Sequence, residues 1–379
     1  MEDSAVYKSL IYEPSPPKKS SLPPLRLQLT AILVALGGPF NFGYQLLITN
    51  PAQEAFLQFL NDSHYLNKNE ALEREQLEQT NAATYAIARF LLGLSIAISL
   101  GTAPMFITEC SPKECRGVTS LVNGVVLQVA LVVGAILAMP QIFGNTNDWW
   151  KLYATEFLLT VVVMMLVPFI HESPGFLHSR GHANASERSL SFYHGVDGED
   201  LRIATKELEE ERGKGQQLGL VSLWKDPVSR RGTLVGAVVM ASMAMSGIAA
   251  INAFAFEILL STGLNVLQAS IGNIIICIMS VLGILTSSFI IDRFGRRVLL
   301  LPTYSLLAVI NVFIAAFMLG FEHFQISALG YPLLCTICMF NFVFAAGPGP
   351  VSLFITGELV GQHARGAACT WANVCMCLL

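Results

Sequence analysis

Eight long apolar stretches, separated by shorter polar segments, dominate this chain. A hydrocarbon core about 30 Å thick needs roughly 20 apolar residues in a spanning helix, so the pattern predicts eight membrane-spanning helices. They cover Leu27–Thr49, Ala83–Ile107, Val118–Phe143, Leu152–Ile170, Thr233–Phe256, Ala269–Ile291, Val298–Gly320 and Ile326–Ile355. A ninth stretch begins at Ala367 and reaches the last residue, Leu379, before it is long enough to span.

Composition agrees with this pattern. Of the 379 residues, 53% are hydrophobic and only 13% are charged, whereas soluble domains carry about a quarter charged residues. The predicted fold class is therefore an all-α polytopic membrane protein. The net charge of −4 is small and the sequence has no basic tract, so we expect no nucleic-acid partner.

The distribution of Lys and Arg predicts the orientation, because cytoplasmic loops are enriched in these residues. The N-terminal tail carries Lys18, Lys19 and Arg26, and alternate later loops are also basic. The loop after the first span is instead rich in glutamate. We therefore predict a cytoplasmic N-terminus. The sequon that starts at Asn61 would then lie outside, where glycosylation is possible.

A long polar segment between the fourth and fifth spans divides the chain. Residues 1–26 are a predicted cytoplasmic tail, and 27–170 form an N-terminal half of four spans. Residues 171–231 form a cytoplasmic loop with short helices. The C-terminal half, 232–379, has four spans and a partial one. The Glu and Lys spacing over Asp200–Arg212 is typical of a solvent-exposed helix.

The polar chemistry of the chain does not indicate an enzyme. All eight cysteines lie in or beside apolar spans, which argues against a secreted-type disulfide framework. Cys335 and Cys338 have the spacing of a metal or redox pair, but inside an apolar helix they are better explained as packing residues. The cytoplasmic segments contain no nucleophile–base set and no phosphate-binding glycine loop. We expect no metal, no cofactor and no catalytic activity.

Three polar motifs lie between the apolar runs. They are Glu109-Cys-Ser-Pro-Lys-Glu-Cys-Arg116-Gly, Asp292-Arg-Phe-Gly-Arg-Arg297, and Gly347-Pro-Gly-Pro350 followed by Gly357-Glu-Leu. Together they resemble the sugar-porter branch of the major facilitator superfamily, close to the facilitative glucose transporters. The resemblance implies two helical halves with a solute site between them near the membrane midplane. It also implies a sugar-like solute and a plasma-membrane location, and leaves the oligomeric state open.

Compared with that family, the chain lacks two helices and its C-terminal end. The segment Ala88-Arg89-Phe-Leu-Leu-Gly93 and the motif at Glu109 resemble the family's fourth helix, yet they follow the first span directly. The second and third family helices are thus missing between Thr80 and Tyr85. The chain also ends inside a stretch that resembles the eleventh helix. We interpret the fold as an incomplete major facilitator, from a partial gene model or a splice form.

Charged residues at the cytoplasmic helix ends predict a gating network. In sugar porters such residues form salt bridges between the halves that hold the outward-open state. Glu109 and Glu358 each precede an arginine by seven residues, a repetition that anchoring to the membrane surface, the alternative, does not explain. Gly175 stands where the family usually has arginine, which weakens the predicted network of salt bridges between the halves. The network comprises Glu109, Arg116, Glu172, Arg293, Arg296, Arg297, Glu358 and Arg365.

Most sugar-contacting side chains of the family are replaced here. The resemblance assigns the binding amides to Gly124, Met243, Ala244, Ala249 and Ser280, and the acid and tryptophan of the tenth helix to Ala345 and Leu353. A site with so few hydrogen-bonding groups cannot bind glucose in the family's manner, because sugar hydroxyls would be left unpaired.

A polar path, displaced by one helical turn, partly replaces the lost sugar-contacting side chains. Gln128, Asn252 and Asn341 each lie one helical turn from a lost position. With Ser280 they predict a path for an altered solute, such as another sugar, a polyol or urate. The alternative is ordinary hydrogen bonding between helices, for which Asn, Gln and Ser are common in membrane spans.

A helix break is predicted at Gly347, Pro348, Gly349 and Pro350, because the prolines remove backbone donors and the glycines loosen the helix. The resemblance implies that this hinge opens and closes the outer gate. The alternative is an inert kink with the same geometry.

The predicted function is facilitative transport of a sugar or similar small polar solute by alternating access. Acidic residues are absent from the middle of every span, and Glu156 lies near one end. Proton coupling usually needs such a group, so downhill transport is favoured. The alternative is a transporter-like sensor or regulator, or an inactive truncated product, which the missing helices and substituted site favour.

Overall fold

The computed structural model describes residues 23–49, 74–112, 115–212, 219–294, 296–324, 330–360 and 364–378. Asn61 and most of the N-terminal tail lie outside these ranges. The side chains of Arg293, Arg296 and Glu358 also lie outside the described part.

The described backbone is helical, without strands. The helices are α1 (Leu25–Gly37), α2 (39–49), α3 (Arg74–Cys110), α4 (Arg116–Leu137), α5 (Trp150–Leu166), α6 (Pro174–Ser179), α7 (Ala183–His194), α8 (Glu199–Arg212), α9 (Pro227–Ala244), α10 (Ile248–Ser261), α11 (Val266–Phe294), α12 (Arg296–Phe324), α13 (Gly330–Ala346), α14 (Pro348–Leu359) and α15 (Arg365–Leu378). Short 3₁₀ turns cover Val167–Phe169 and Ser222–Lys225.

Eight segments are long and apolar enough to cross a membrane. They are Leu25–Thr49, Ala86–Cys110, Arg116–Leu137, Trp150–Phe169, Pro227–Ser261, Val266–Ile290, Arg297–Phe321 and Gly330–Gly357. The predicted all-α membrane class and its eight spans are therefore confirmed. The third span is shorter than predicted, because the chain turns after Leu137 and the Phe143 amide donates back to the Leu137 carbonyl at 3.2 Å.

The junction at which the sequence predicts that two family helices are missing lies inside one continuous helix. α3 runs for 37 residues through the junction at Thr80–Tyr85. Only 11% of the most apolar window of its span is buried in the protein, the smallest share among the eight spans. Phe90 on this helix is 71% exposed. Such exposure is expected for a spanning helix without its usual neighbours, and lipid can cover it.

Close helix packing builds the C-terminal half. α11 packs along α13 at glycines, the small residues that let membrane helices approach each other. At Gly283 an added Cβ would lie 2.5 Å from the Phe342 carbonyl oxygen. The core beside this contact contains Leu259, Ile276 and Phe340, each fully buried.

The fifth span is broken, which the apolar pattern did not predict. α9 ends at Ala244 and α10 begins at Ile248, with Gly247 between them at φ +87°. Glycine suits this left-handed conformation because it has no Cβ. The Asn311 side-chain amide on α12 donates to the Ser246 carbonyl at 3.1 Å, so a neighbouring helix stabilises the break.

The loop helices α6 and α7 pack on the ends of α1 and α3, and α8 packs on α7. Tyr193 on α7 is fully buried with Leu27, Cys110 and Cys115. Its hydroxyl donates to the His171 carbonyl at 2.5 Å. Burial is the main cause that raises the pKa of Tyr193 above its ordinary value, because the charged phenolate would lose its hydration.

Replacing Tyr193 with phenylalanine is expected to lower the free energy of unfolding by about 1 kcal/mol, since the hydroxyl's bond to the carbonyl is lost. Because the folded pKa of Tyr193 is raised, its protonated form supports the fold below about pH 10, and that support is lost as the pH rises further. Thermal unfolding at pH 7 and above pH 10 checks both points. The variant should be less stable at pH 7 and less sensitive to alkali; equal alkaline sensitivity would contradict the role of Tyr193.

Candidate functional site

The two halves meet along α4 and α11. A Cβ added at Gly124 would overlap the end of the Ile284 side chain, so the position that the resemblance assigns to a sugar-binding amide is filled by a packing contact. On the side away from the loop helices, Leu47, Leu131 and Cys277 form a cluster that joins both halves. Apolar side chains therefore close the interface between the halves there.

Two of the predicted path residues bond to each other. The Ser280 hydroxyl on α11 donates to Asn341 Oδ1 on α13 at 3.2 Å. Asn341 Nδ2 donates to the Ile337 carbonyl at 3.2 Å, and the side chain is only 1% exposed. In this state the pair acts as a link between helices, as the alternative to a solute path predicts.

The other two path residues lie on different helices from that pair. Gln128 on α4 is half-buried, and its Oε1 is buried without a hydrogen-bond partner in the described part of the chain. Asn123, five residues earlier, has both polar side-chain atoms in the same condition. Sequence reasoning missed it, although it is an amide in an apolar span. Asn252 is half-buried on α10, just after the break at Gly247.

The backbone is bent at the predicted hinge. α13 ends at Ala346, Gly347 has φ −124° and ψ −88°, and α14 begins at Pro348. Gly347 lies against α12, where an added Cβ would be 2.5 Å from Thr303 Oγ1. The bend therefore needs a residue without a side chain, while its gating role stays a prediction.

Several predicted gating residues make contacts that do not join the two halves. Glu109 accepts a hydrogen bond from the Ser173 hydroxyl at 2.5 Å, and Ser173 caps α6. Arg365 donates to the Gly357 carbonyl at 2.9 Å. Arg116 Nη2 lies 3.4 Å from the Ser111 carbonyl. Glu172 and Arg297 are exposed. The salt bridges between halves that the sequence predicts stay a prediction.

A cleft of about 490 Å³ opens inside the N-terminal half. Its walls come from the junction of α1 and α2, from α3, and from the start of α5. Glu156 was excluded as a proton-coupling group because it lies near a span end. Its carboxylate accepts a hydrogen bond from Gln45, which lies 111 residues earlier in the chain. Arg89 also lines the cleft.

Comparisons by sequence and by structure both find sugar transporters that are similar to this chain. The sequence model of the family described as Sugar (and other) transporter matches residues 75–379. The facilitated glucose transporter member 7 of Mus musculus is 25% identical over 430 residues, covering 98% of this chain and 82% of the relative. That alignment is longer than the 379 residues of the chain, so the relative has residues within the aligned region that this chain lacks.

A second relative and a solved structure are also similar to this chain. A facilitated glucose transporter homolog of Caenorhabditis elegans is 31% identical over 289 residues, covering 74% of this chain and 55% of the relative. The xylose transporter XylE from E. coli, solved in a partially occluded inward-open conformation, has the same fold. Its TM-score is 0.64 at 17% identity, and the match covers 93% of this chain and 78% of XylE. The chain therefore belongs to the sugar transporter family.

Proposed function

We propose that this chain moves a sugar or similar small polar solute through the interface of its halves, along Gln128, Asn252, Ser280 and Asn341. Membership of the sugar transporter family supports transport over the alternative of a sensor or inactive product. The plasma membrane and a cytoplasmic N-terminus are part of the proposal, and the distribution of basic residues supports that orientation.

The observation that carries the path is the buried Oε1 of Gln128 on α4, because α4 packs against α11, the helix that carries Ser280. Gln128 Oε1 lacks a partner among the described residues, and an unpaired buried acceptor costs free energy. A solute hydroxyl passing along α4 would satisfy it. The Ser280–Asn341 bond would open and re-form around the solute, since a hydroxyl can replace either partner.

Movement would use the two backbone breaks. Gly247 interrupts the fifth span and Gly347 the eighth, so each span can change its angle at one residue rather than bending along its length. α12 contacts both breaks, through Asn311 at the first and Thr303 at the second. This arrangement would couple the two bends during alternating access.

Uptake into proteoliposomes tests the function. Radiolabelled D-glucose, D-fructose, D-xylose, sorbitol and urate are each offered to the purified chain, with and without an imposed proton gradient. We expect saturable uptake of at least one solute that is unchanged by the gradient. Absence of uptake for all of them would favour the non-transporting alternative.

Alanine at both Gln128 and Asn341 tests the path. We expect the double variant to abolish uptake while remaining monodisperse in size-exclusion chromatography. Gln141→Ala is the matched control, because Gln141 is an exposed amide outside the helices and its loss should change nothing. Unchanged uptake in the double variant would contradict the path and favour Asn341 as a link between helices only.

A further inference from the structure

We propose that the cleft inside the N-terminal half is a second binding site, for a neutral, hydroxyl-rich solute of the sugar or polyol type. Its volume of about 490 Å³ falls within the range of roughly 300–1,000 Å³ that is typical of small-molecule sites. It is formed by α1, α2, α3 and α5 of one half, and is therefore separate from the path proposed between the halves.

The polar floor of the cleft comes from one face of a single span. Asn41 and Gln45 are four residues apart, which places them on the same helix face, and both line the cleft. Gly37 and Gly38, one turn earlier, let the neighbouring helices come close at that end of the cleft. An added Cβ would be 3.1 Å from Val163 Cγ1 at Gly37 and 3.0 Å from the Ser99 carbonyl oxygen at Gly38.

Each amide has an acceptor oxygen without a hydrogen-bond partner among the described residues. Asn41 Nδ2 donates to the Gly37 carbonyl at 3.2 Å, and Gln45 Nε2 donates to the Glu156 carboxylate. Since a carbonyl and a carboxylate only accept, these bonds determine which end of each amide is the NH₂ group. Asn41 Oδ1 and Gln45 Oε1 are left buried without partners in the described part. Gln45 is only 5% exposed, so water has little access to it.

An occupant that contacts these acceptors must donate hydrogen bonds, because an amide oxygen only accepts. Since both oxygens are buried, binding would turn the two amide side chains toward the solute. Two adjacent unpaired acceptors, plus the remaining lone pairs of Glu156, match a molecule with several hydroxyl groups. An ammonium ion would also donate, but Arg89 lines the same cleft and offsets the charge of Glu156. A neutral solute is favoured, because a charged one would be desolvated without a net opposite charge.

The remaining lining suits the apolar face of a sugar ring. Trp149, Tyr153 and Phe157 lie on the α5 side of the cleft, and the Trp149 and Tyr153 rings meet edge to face with centroids 6.2 Å apart. Mostly apolar walls with a few placed polar groups are the usual composition of small-molecule sites. The chemistry of the cleft thus combines ring stacking with hydroxyl recognition.

Equilibrium binding, and not flux, tests this site, so its outcome is independent of whether the chain transports. The full chain is placed in phosphatidylcholine nanodiscs, because maltoside detergents carry a sugar headgroup that would compete. The Gln128→Ala/Asn341→Ala background removes the path between the halves. Saturation-transfer NMR is then recorded with D-glucose, D-xylose, myo-inositol and, as a cationic comparator, choline.

We expect saturation transfer to at least one polyol and none to choline. Asn41→Leu should weaken polyol binding about tenfold. The substitution leaves the Gln45–Glu156 hydrogen bond intact, so we expect the variant to fold. Adding Gln45→Leu should abolish binding, and Gln141→Leu, the matched amide control, should leave it unchanged. Absence of polyol binding, polyol binding indifferent to Asn41→Leu, or binding of choline alone would each overturn the proposal.

Discussion

Replacing Gly283 with valine is expected to destabilise the C-terminal half more than any other single change considered for this protein. The new Cβ would lie 2.5 Å from the Phe342 carbonyl oxygen and 2.9 Å from the Ala345 Cβ. Both belong to the neighbouring helix, and a backbone atom cannot move aside as a flexible side chain can. Overpacking of this kind typically costs about 1–3 kcal/mol, and α11 and α13 would have to separate to relieve it.

The same change should stop transport. Gly283 lies one turn from Ser280, and Phe342 is next to Asn341, so separation of the helices would also break the 3.2 Å bond between these two side chains. Thermal unfolding in detergent measures the first effect and proteoliposome uptake the second. We expect a clearly lowered melting temperature and no uptake.

Gly320→Val is the matched control for this experiment. Gly320 lies in α12 of the same half, and an added Cβ there meets no atom within 4 Å. Both variants carry the same change in helix propensity. The difference between their melting temperatures therefore reports the cost of the packing clash at Gly283. Equal melting temperatures for the two variants would show that α11 and α13 do not approach each other closely at Gly283.

Replacing Gly347 with alanine is expected to reduce uptake by roughly tenfold or more, equivalent to about 1.4 kcal/mol in the limiting barrier. The added methyl group would lie 2.5 Å from Thr303 Oγ1 and 2.7 Å from Thr303 Cβ. The bend between α13 and α14 would be forced away from α12. If the bend changes angle during the transport cycle, uptake suffers more than stability does.

A second substitution separates this steric effect from a general loss of flexibility. Thr303→Gly removes every Thr303 side-chain atom that the methyl would meet, so the double variant should recover much of the uptake. Gly320→Ala serves as a control for adding a methyl in open space on the same neighbouring helix. Full uptake by Gly347→Ala with an unchanged melting temperature would contradict a need for glycine at the bend.

The membrane class, the spans and the family could all be predicted from local features. Span length depends only on consecutive apolar residues, which is why the predicted Leu27–Thr49 and the observed Leu25–Thr49 nearly coincide. The break at Gly347 is also local, because proline and glycine act on their own backbone. Gly247 was missed because a single glycine in an apolar helix is ordinary, and the stabilising contact from Asn311 comes from another span.

The candidate sites show the limit of such reasoning. Ser280 and Asn341 were grouped by helical offset, yet only the packing of α11 on α13 reveals that they bond to each other. Glu156 was set aside by its place in the span, and Gln45 was not considered. Their hydrogen bond joins residues 111 positions apart and turns two separate polar residues into the floor of a cleft.

Sequence alone therefore determined what each segment is: an apolar span, a polar connection, or a motif shared with sugar transporters. Tertiary structure decided which polar side chains meet, and so where a solute could be held. The physical reason is that spanning depends on the hydropathy of one segment, while a site depends on how neighbouring helices rotate and how closely they approach. Those relations are determined by side-chain packing between segments distant in the chain, as at Gly283 and Phe342.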